Sequence, residues 1–375
     1  MSATIVPRER RAMNNANELK IGLFGANCSS GRAVTMVPER WSGNWPDNLK
    51  LAHIADEAGI DFLLPIARWK GYGGDTDYQG ATLETVTWAA ALLAVTKRIT
   101  AFGTVPAPLI HPVVAAKESV TADHIGEGRF GLNVVIGWNS DEFDMFGVEL
   151  REHEASYAYG QEWVDAIKLT WSEAEDFDFN GEYIKLHKVR AKPKPYGASR
   201  PLIMNAGASP IGRSFALRNC DAFFTAAPND TFDALGKHVK EVKAEAKSYD
   251  REIDIYTVGA ITCCPNQKEA EEYYRHCVID HADWSAVDEI LAKRKIMRQT
   301  VGEEEFERRR RHQANGMGGI PIIGQPDSVA RKLADLSRAG MRGIGVSFVN
   351  HAAELPYFCE EVLPRLQRMG LRSAR

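Results

Sequence analysis

Short apolar runs alternate along the chain with longer segments of helical periodicity. The apolar runs predict buried strands that begin near Ile21, Asp61, Ile99, Phe130, Pro201, Asp221, Ile253 and Gly343. Runs that are apolar at nearly every position are typical of a parallel sheet covered on both faces. The segment "DNLKLAHIADEAG" predicts a helix that ends at Gly59, a residue type favoured just after a helix. Eight strands, each followed by a helix, predict an α/β fold of the (β/α)8 TIM-barrel type, with a doubly wound sheet as the alternative.

Two segments interrupt this alternation and predict insertions in the barrel. Residues 177–201 predict a short hairpin followed by a proline-rich approach to the fifth strand. The second insert, about residues 283–321, contains "EEEFERRRRHQANGMGG" and lies between the seventh and eighth strands. Its charges predict a solvated helix and its glycines a flexible loop, rather than a nucleic-acid patch. Because it would emerge at one end of the barrel, we expect it to form a lid over the catalytic mouth.

Composition narrows the class of protein. Residues 1–20 are polar and predict a loosely ordered N-terminal arm, and residues 21–375 predict one barrel domain. The chain is 44% hydrophobic and 26% charged, as in globular proteins, and its formal net charge of −4 argues against nucleic acid or a membrane as the main partner. We find no apolar run that would span a bilayer and no signal peptide, and six cysteines in 375 residues do not make a disulfide framework. We therefore expect a cytoplasmic protein.

Self-contained catalytic motifs are absent from the sequence. No GxGxxG follows the first strand, "GASPIG" lacks the Lys-Ser/Thr of a P-loop, and neither a GxSxG elbow nor an HExxH motif occurs. His276, Cys277 and His281 are close in sequence, but one helix cannot present all three on one face, so no metal site is predicted. A barrel enzyme without such machinery usually takes its chemistry from a cofactor.

Polar residues cluster where the predicted strands end, which is where barrel enzymes place their active sites. These residues are Arg68 and Lys70 after the second strand, Thr104 at the tip of the third, Asn133 in the fourth, and Gly207 and Ser209 after the fifth. Asn133 interrupts the apolar run "FGLNVVIG". Because a buried amide without a hydrogen-bond partner costs about 1–3 kcal/mol, its presence there indicates either a functional amide or an amide that bonds to the backbone. The turn "NAGASP" predicts a phosphate site formed by backbone amides and Ser209, with a plain helix cap as the alternative for Ser209.

Several blocks of the sequence resemble one enzyme family. The segment "HPVVAAKESVTADHIGEGRFGLNVVIGW" closely resembles the signature of bacterial-luciferase-like, flavin-dependent monooxygenases, and "LAHIADEAGIDFLLP", "LLAVTKRI" and "SYAYGQEWVDAIKLTW" follow the same family in the expected order. "ARWKGYGG" and "GWNSDEFDMFG" are most similar to the subgroup of pyrimidine oxygenase, dimethyl-sulfone monooxygenase and riboflavin lyase. The resemblance implies a barrel that binds reduced FMN at its C-terminal mouth, activates O2 and receives FMNH2 from a separate NAD(P)H:flavin reductase. Family members are commonly homodimers or homotetramers.

The resemblance also implies roles for individual residues. The positions that match flavin contacts are Ala67, Arg68, Thr104, Asn133, Glu142, Tyr159, Gly207 and Ser209. Among them, Thr104 and Asn133 match a pair that lines an oxygen pocket beside the flavin N5, which makes them the expected catalytic residues. Ala158 stands where relatives usually carry an arginine, which leaves open how the phosphate is anchored from this helix. Tentative substrate contacts are Phe24, Asn27, Trp69, Tyr72, Trp138, Asn350 and His351.

These assignments lead to a functional hypothesis with alternatives. We expect a flavin peroxide, with N5 as a candidate attachment site, to cleave a C–N bond of a planar N-heterocycle of pyrimidine or riboflavin type, as in pyrimidine or riboflavin catabolism. The alternatives are a dimethyl-sulfone-type C–S monooxygenase, an F420-dependent oxidoreductase of the same superfamily, which would need no oxygen pocket, and a non-catalytic flavin-binding protein.

Overall fold

The computed structural model describes residues 6–173, 175–207, 209–225, 232–316 and 319–373. The strands are β1 (Lys20–Phe24), β2 (Phe62–Leu64), β3 (Thr100–Pro106), β4 (Phe130–Val135), β5 (Phe177–Asn180), β6 (Lys185–Val189), β7 (Leu202–Asn205), β8 (Ala222–Phe224), β9 (Asp254–Cys263), β10 (Ile320–Gly324) and β11 (Gly343–Ser347). The helices are α1 (Arg8–Arg11), α2 (Trp45–Ala58), α3 (Thr85–Val95), α4 (Pro112–Ile125), α5 (Ser140–Phe146), α6 (His153–Ser172), α7 (Pro210–Asn219), α8 (Phe232–Ser248), α9 (Gln267–Arg275), α10 (Trp284–Lys293), α11 (Arg298–Val301), α12 (Glu303–Ala314), α13 (Pro326–Arg338), α14 (His351–Glu361) and α15 (Leu363–Arg368). No helix among these residues is long and apolar enough to cross a membrane.

Eight parallel strands close into a barrel. Their order is β9-β11-β1-β2-β3-β4-β7-β8, and β8 pairs with β9 to complete the ring. The predicted barrel and its eight strands are confirmed, and the doubly wound alternative is wrong because the pairing of β8 with β9 closes these eight strands into a ring. The predicted hairpin is also present, as the antiparallel pair β5–β6. Strand β10 was not among the predicted strands, and it pairs with the C-terminal half of β9, from Gly259 to Cys263.

The chain divides into two compact units, the first containing Met1–Asn15, Thr85–Thr225 and Lys240–Ile255 and the second containing Ala16–Glu84, Ala226–Val239 and Tyr256–Arg375. In the first unit, α4 begins where the His111 side chain accepts from the backbone N–H of Val113 and Pro112 occupies the first helical position. In the second unit, α2 ends at Gly59, whose φ of 74° is the left-handed conformation that glycine adopts readily. The predicted C-cap at Gly59 is therefore confirmed.

The N-terminal arm is more ordered than predicted from residue 6 onward, while residues 1–5 lie outside the described residues. Arg10 is buried, and its guanidinium forms two hydrogen bonds with the carboxylate of Asp123, at 3.0 and 3.1 Å. The same side chain donates to the backbone carbonyl of Tyr196 at 2.6 Å. The expectation of a loosely ordered arm is therefore wrong for this part, because a buried and fully engaged arginine fixes it. Strand β1 also begins one residue earlier than predicted, at Lys20.

The insert near residues 283–321 folds into helices α10, α11 and α12 before β10 begins. Helix α10 buries apolar side chains, among them Val287, Ile290 and Leu291, in a cluster shared with the loop after β1. Helix α12 carries the arginine run, and these charges pair locally, for example Arg308 and Arg309 with Glu305. Such pairs between exposed side chains match the predicted solvated helix. The glycine-rich end falls partly on residues outside the described ranges, and the lid stays a prediction.

Candidate active site

Thr104 and Asn133 form a hydrogen-bonded pair across two neighbouring strands. They are register partners in β3 and β4, and the Asn133 amide Nδ2 donates to Thr104 Oγ1 at 3.1 Å. A Cβ built on Gly103 would lie 2.8 Å from Val86 of α3, so Gly103 faces the helix layer. Because side chains alternate along a strand, Thr104 faces the opposite way, into the barrel, and Asn133 shares that face. The pair therefore lies on the inner surface, as the oxygen-pocket prediction requires.

The Asn133 amide is only half satisfied. Its side chain is 7% exposed, and its Oδ1 atom is buried without a hydrogen-bond partner in the described part of the chain. Leaving a buried acceptor unsatisfied costs about 1–3 kcal/mol, which a ligand N–H can recover. A reduced flavin carries such a donor at N5, so the residues present fit the flavin that the sequence implies.

A cavity of about 470 Å³ lies at the carboxyl ends of β4 and β7. Its lining residues include Val135, Ile136, Gly137, Trp138, Leu150, Arg151, His153, Ser156, Tyr157, Asn205, Ala206 and Gly207. The Asn205 amide donates to the carbonyl of Val134 at 2.7 Å and accepts from the N–H of Gly207 at 2.8 Å, which fixes the turn after β7. A Cβ at Gly207 would lie 2.7 Å from the backbone of Gly212, so only glycine allows this close approach to α7.

The polar side of this cavity suits a phosphate group. Ser209 caps α7 by accepting from the Gly212 N–H at 3.1 Å, which is the plain alternative weighed for it, and its Oγ also lies 3.1 Å from His153 Nε2. Burial raises the pKa of Tyr157, although its hydrogen bond to Ser209 opposes the shift. Arg151 adds a positive charge to the lining, and the first turn of α7 carries the positive end of the helix dipole. The amide of Gly207, in contrast, is already used by Asn205.

Tyr159 stays the predicted aromatic contact on α6, but another tyrosine of this helix lies at the cavity. Tyr157 lines the cavity, whereas Tyr159 does not. Tyr159 lies on another side of the helix, with the guanidinium carbon of Arg151 4.4 Å from its ring centroid and Tyr183 beside it. Residues two apart on a helix point about 200° apart, which explains why both cannot face the cavity. The guanidinium that covers Tyr159 belongs to Arg151, a residue that also lines the cavity.

Three other predicted flavin positions, Ala67, Arg68 and Glu142, are not among the residues that line this cavity. Glu142 is buried in α5, and Trp138, a predicted substrate contact, does line the cavity and is 45% exposed. Ala67 and Arg68 follow β2. Arg68 is buried, and its Nη2 donates to the Tyr72 hydroxyl at 2.6 Å while its guanidinium carbon lies 4.5 Å from the centroid of the Tyr72 ring. This cation–π arrangement fixes the orientation of both side chains.

The remaining aromatic candidates differ in accessibility. Tyr72 is buried and stacks on Tyr78, with their ring centroids 6.3 Å apart, so it supports Arg68 rather than facing solvent. Trp69 is exposed, whereas Phe24 lines a small internal cavity at the end of β1. Of these three side chains, Phe24 is the one that lines this cavity in the described part of the chain.

Two of the predicted substrate contacts have structural roles. The Asn27 amide donates to the carbonyls of Ile66 and Leu83, at 2.9 and 3.0 Å, and accepts from the Ile66 N–H at 2.9 Å. Asn350 caps α14 by accepting from the Ala353 N–H, at 3.1 Å, and its Nδ2 donates to a backbone carbonyl. Both amides therefore hold loops in this structure, and a contact of either with substrate stays a prediction.

His351 is also packed within the fold. The side chain is fully buried, with its ring edge-on to Trp41 and Phe348 at centroid distances of 5.3 and 5.9 Å. Neither ring nitrogen has a hydrogen-bond partner within the described ranges. Burial lowers the pKa of His351 to about 3, and the nearby charge of Arg32 acts in the same direction. The imidazole is therefore neutral and packed between aromatic rings, and its contact with substrate stays a prediction.

Comparisons with known proteins agree on one family. A family model described as luciferase-like monooxygenase matches residues 19–343. The chain is 27% identical over 362 residues to the FMNH2-dependent dimethylsulfone monooxygenase of Pseudomonas fluorescens, covering 95% of this chain and 96% of that protein. It is 28% identical over 359 residues to the pyrimidine monooxygenase RutA of Allorhizobium ampelinum, covering 93% and 96% of the two chains.

Solved structures agree on the fold. A crystal structure of riboflavin lyase with modified FMN and riboflavin matches with a TM-score of 0.82 at 20% identity, covering 95% of this chain and 93% of that one. The crystal structure of a long-chain alkane monooxygenase matches with a TM-score of 0.83 at 19% identity, covering 96% and 93%. At these identities the two structures establish the architecture alone.

Proposed function

Because the chain belongs to the family of luciferase-like monooxygenases, we propose that it is a two-component monooxygenase that uses reduced FMN and O2. A separate NAD(P)H:flavin reductase supplies the FMNH2. The substrate is a planar N-heterocycle of pyrimidine or isoalloxazine type, oxygen is activated at the N5 edge of the flavin, and a C–N bond of the substrate is cleaved. A homodimer or homotetramer and a cytoplasmic location stay predictions.

The observation that carries this proposal is the buried pair Thr104–Asn133 with its unpartnered oxygen. The hydrogen bond from Asn133 Nδ2 to Thr104 Oγ1 fixes the orientation of the amide, and Oδ1 is then left to accept from a ligand. Reduced FMN, when bound, supplies the electrons that activate O2. Asn133 Oδ1 would accept a hydrogen bond from the flavin N5–H, and both side chains would exclude water from that edge. Preorganised polar groups in such a site stabilise developing charge by several kcal/mol.

The phosphate end of the cofactor is supported by a second set of residues. Arg151, His153 and Ser209 would hold the FMN phosphate, and Tyr157 would close the site by its bond to Ser209. Charge-assisted hydrogen bonds of this kind contribute about 1.5–3 kcal/mol each. A cavity of about 470 Å³ is of the size that ligand sites commonly have.

A C–S monooxygenase acting on a small sulfone is the second candidate. One relative of similar identity is named a dimethylsulfone monooxygenase, so identity alone does not choose between the two substrate classes. An F420-dependent oxidoreductase is less well supported. This chain shares the fold of an F420-dependent secondary alcohol dehydrogenase at a TM-score of 0.69. However, an F420-dependent reaction needs no oxygen pocket, so it would not explain the Thr104–Asn133 pair.

The test is product analysis under ¹⁸O2 with FMN, NADH and a generic flavin reductase. The substrate panel should contain pyrimidines, riboflavin and dimethyl sulfone. The proposal predicts one ¹⁸O atom in a product of a pyrimidine or of riboflavin. Product from dimethyl sulfone alone would favour the second candidate, and tight binding of oxidised FMN without substrate-dependent product would indicate a flavin-binding protein.

A further inference from the structure

A small cavity in the second unit is lined by two residues that each carry a buried polar atom without a hydrogen-bond partner in the described part of the chain. This Arg32 cavity, of about 20 Å³, lies at the ends of β1, β9 and β11. Its lining includes Phe24, Arg32, Tyr78, Gln79, Asn315 and Ser347. Its volume is enough for about one water-sized group, so only the edge of a larger ligand can enter it.

Arg32 supplies a buried donor. Its side chain is 4% exposed, its Nη1 donates to Asn315 Oδ1 at 2.7 Å, and its Nη2 donates to Thr262 Oγ1 at 2.6 Å. The backbone carbonyl of Arg32 accepts from the Tyr78 hydroxyl at 3.1 Å, which holds the residue from the other side. The remaining nitrogen, Nε, is buried and has no partner in the described ranges.

Gln79 supplies a buried acceptor on the same cavity. Its side chain is 2% exposed, and its Oε1 atom has no hydrogen-bond partner among the residues that the structure describes. The residue is held in place because its backbone carbonyl accepts from the Thr82 hydroxyl at 2.9 Å. Two residues of one cavity lining thus each carry an unpartnered buried atom, an N–H donor on Arg32 and a C=O acceptor on Gln79.

We propose that the Arg32 cavity binds the N–H/C=O edge of a lactam in the substrate. The ring carbonyl accepts from Arg32 Nε, and the adjacent ring N–H donates to Gln79 Oε1. This inference rests on the proposed function, since it names the polar edge by which that reaction's substrate is selected.

The donor and acceptor pattern excludes the competing ligands. A sulfone offers two acceptors and no donor, so it would leave Gln79 Oε1 unpaired. A sulfonate or carboxylate would meet the Arg32 donor, but it would also place a negative oxygen against the Gln79 oxygen. Sites built to pair with a ligand N–H reject analogues that lack it, because the buried partner is left unsatisfied.

The test measures affinity by calorimetry on the FMN-loaded protein, with uracil and lumichrome as lactam probes. The matched probe is 1,3-dimethyluracil, which keeps the carbonyls but lacks both N–H groups, and dimethyl sulfone and methanesulfonate represent the other chemistries. We expect a lactam probe to bind at least about tenfold more tightly than each of these three. Tighter binding of dimethyl sulfone or methanesulfonate, or no binding of either lactam probe, would overturn the inference.

Two variants connect this preference to the cavity. Gln79→Met keeps the length of the side chain but removes the acceptor. We expect this variant to bind the lactam probe about tenfold more weakly, while its affinity for 1,3-dimethyluracil changes less than twofold. Gln267→Met, at an exposed glutamine of α9, is the control, and it should change neither the affinity for the lactam probe nor that for 1,3-dimethyluracil. An unchanged lactam preference in Gln79→Met, or a crystal structure of the probe complex with only a water between Arg32 and Gln79, contradicts the proposal.

The design separates this inference from the proposed function. FMN affinity and ¹⁸O incorporation are measured on the same preparations. If the wild-type protein neither binds FMN nor incorporates ¹⁸O, the proposed monooxygenase activity itself is refuted. Normal FMN binding and oxygenation without any lactam preference would refute the role of the Arg32 cavity alone.

Discussion

Asn133 and Thr104 are register partners on adjacent strands, and the only polar atom of the Asn133 amide left unpartnered in the described chain is the oxygen opposite their shared hydrogen bond. The strand register sets both side chains on the inner face of the barrel. Thr104 is further fixed because its backbone carbonyl accepts from the Thr85 hydroxyl at 2.6 Å. The fold thus holds a neutral acceptor in a buried position, at a cost that a ligand donor would recover.

Removing the Thr104 hydroxyl should disturb the orientation of the Asn133 amide. Thr104→Val keeps the shape but removes the acceptor for Nδ2, so we expect the free energy of unfolding to fall by about 1 kcal/mol. Product formed per O2 consumed should also fall, with more hydrogen peroxide released. Thr104→Ser, which keeps the hydroxyl, is the control. Equal coupling in the valine and serine variants would mean that the hydroxyl does not orient the amide.

The phosphate site predicts a difference between two tyrosines of α6. Tyr157→Phe removes the hydrogen bond with Ser209 beside the cavity. We expect the variant to bind FMN about three- to tenfold more weakly in fluorescence titrations. Tyr159→Phe keeps the ring that Arg151 covers, and FMN affinity should stay within twofold of the wild type. The opposite ranking would restore Tyr159 as the flavin contact.

Arg151 should contribute to the binding of the phosphate and not of the flavin ring. Arg151→Gln removes the charge, so we expect FMN affinity to fall by about ten- to one-hundredfold. Binding of lumiflavin, which has no phosphate, should not change. If both flavins lose affinity equally, the residue supports the fold of the site instead.

His351 predicts a pH dependence of stability. Its pKa is about 3 in the folded protein and about 6.5 in the unfolded chain, so only the unfolded state takes up the proton as the pH falls below 6.5. The stabilisation is complete above pH 6.5 and is lost progressively toward pH 3, by about 2 kcal/mol at pH 5.

The variant His351→Leu separates packing from catalysis. Because both ring nitrogens lack described partners, an apolar side chain of similar size should keep stability at pH 7.5 within about 1 kcal/mol. Denaturant unfolding at pH 5 and 7.5 should show a smaller acid-dependent loss in the variant, with kcat/KM unchanged at pH 7.5. A large fall in kcat/KM at unaltered stability would return His351 to the substrate site.

The sequence predicted the strands of the barrel well, because runs such as "FGLNVVIG" are apolar on both faces and begin and end at clear signals. It could not fix which face of a helix meets a ligand. Tyr157 and Tyr159 are equally aromatic in "SYAYGQ", and only the packing of α6 distinguishes them. Nor could it show that the Asn27 and Asn350 amides are used by backbone groups, because those partners are distant in sequence or set by loop geometry. Arg32 and Gln79 carry no motif at all, and only their unsatisfied atoms distinguish them.

The central claim is that Asn133 acts on the bound flavin and not on the stability of the barrel. The most direct measurement compares wild type with Asn133→Ala for FMN affinity and for ¹⁸O product formed per FMNH2 oxidised. We expect FMN affinity to change less than tenfold, while the yield of ¹⁸O product falls about one-hundredfold or more, as when a preorganised polar group is removed from an active site. Retained FMN binding with full oxygenation in Asn133→Ala would contradict the account.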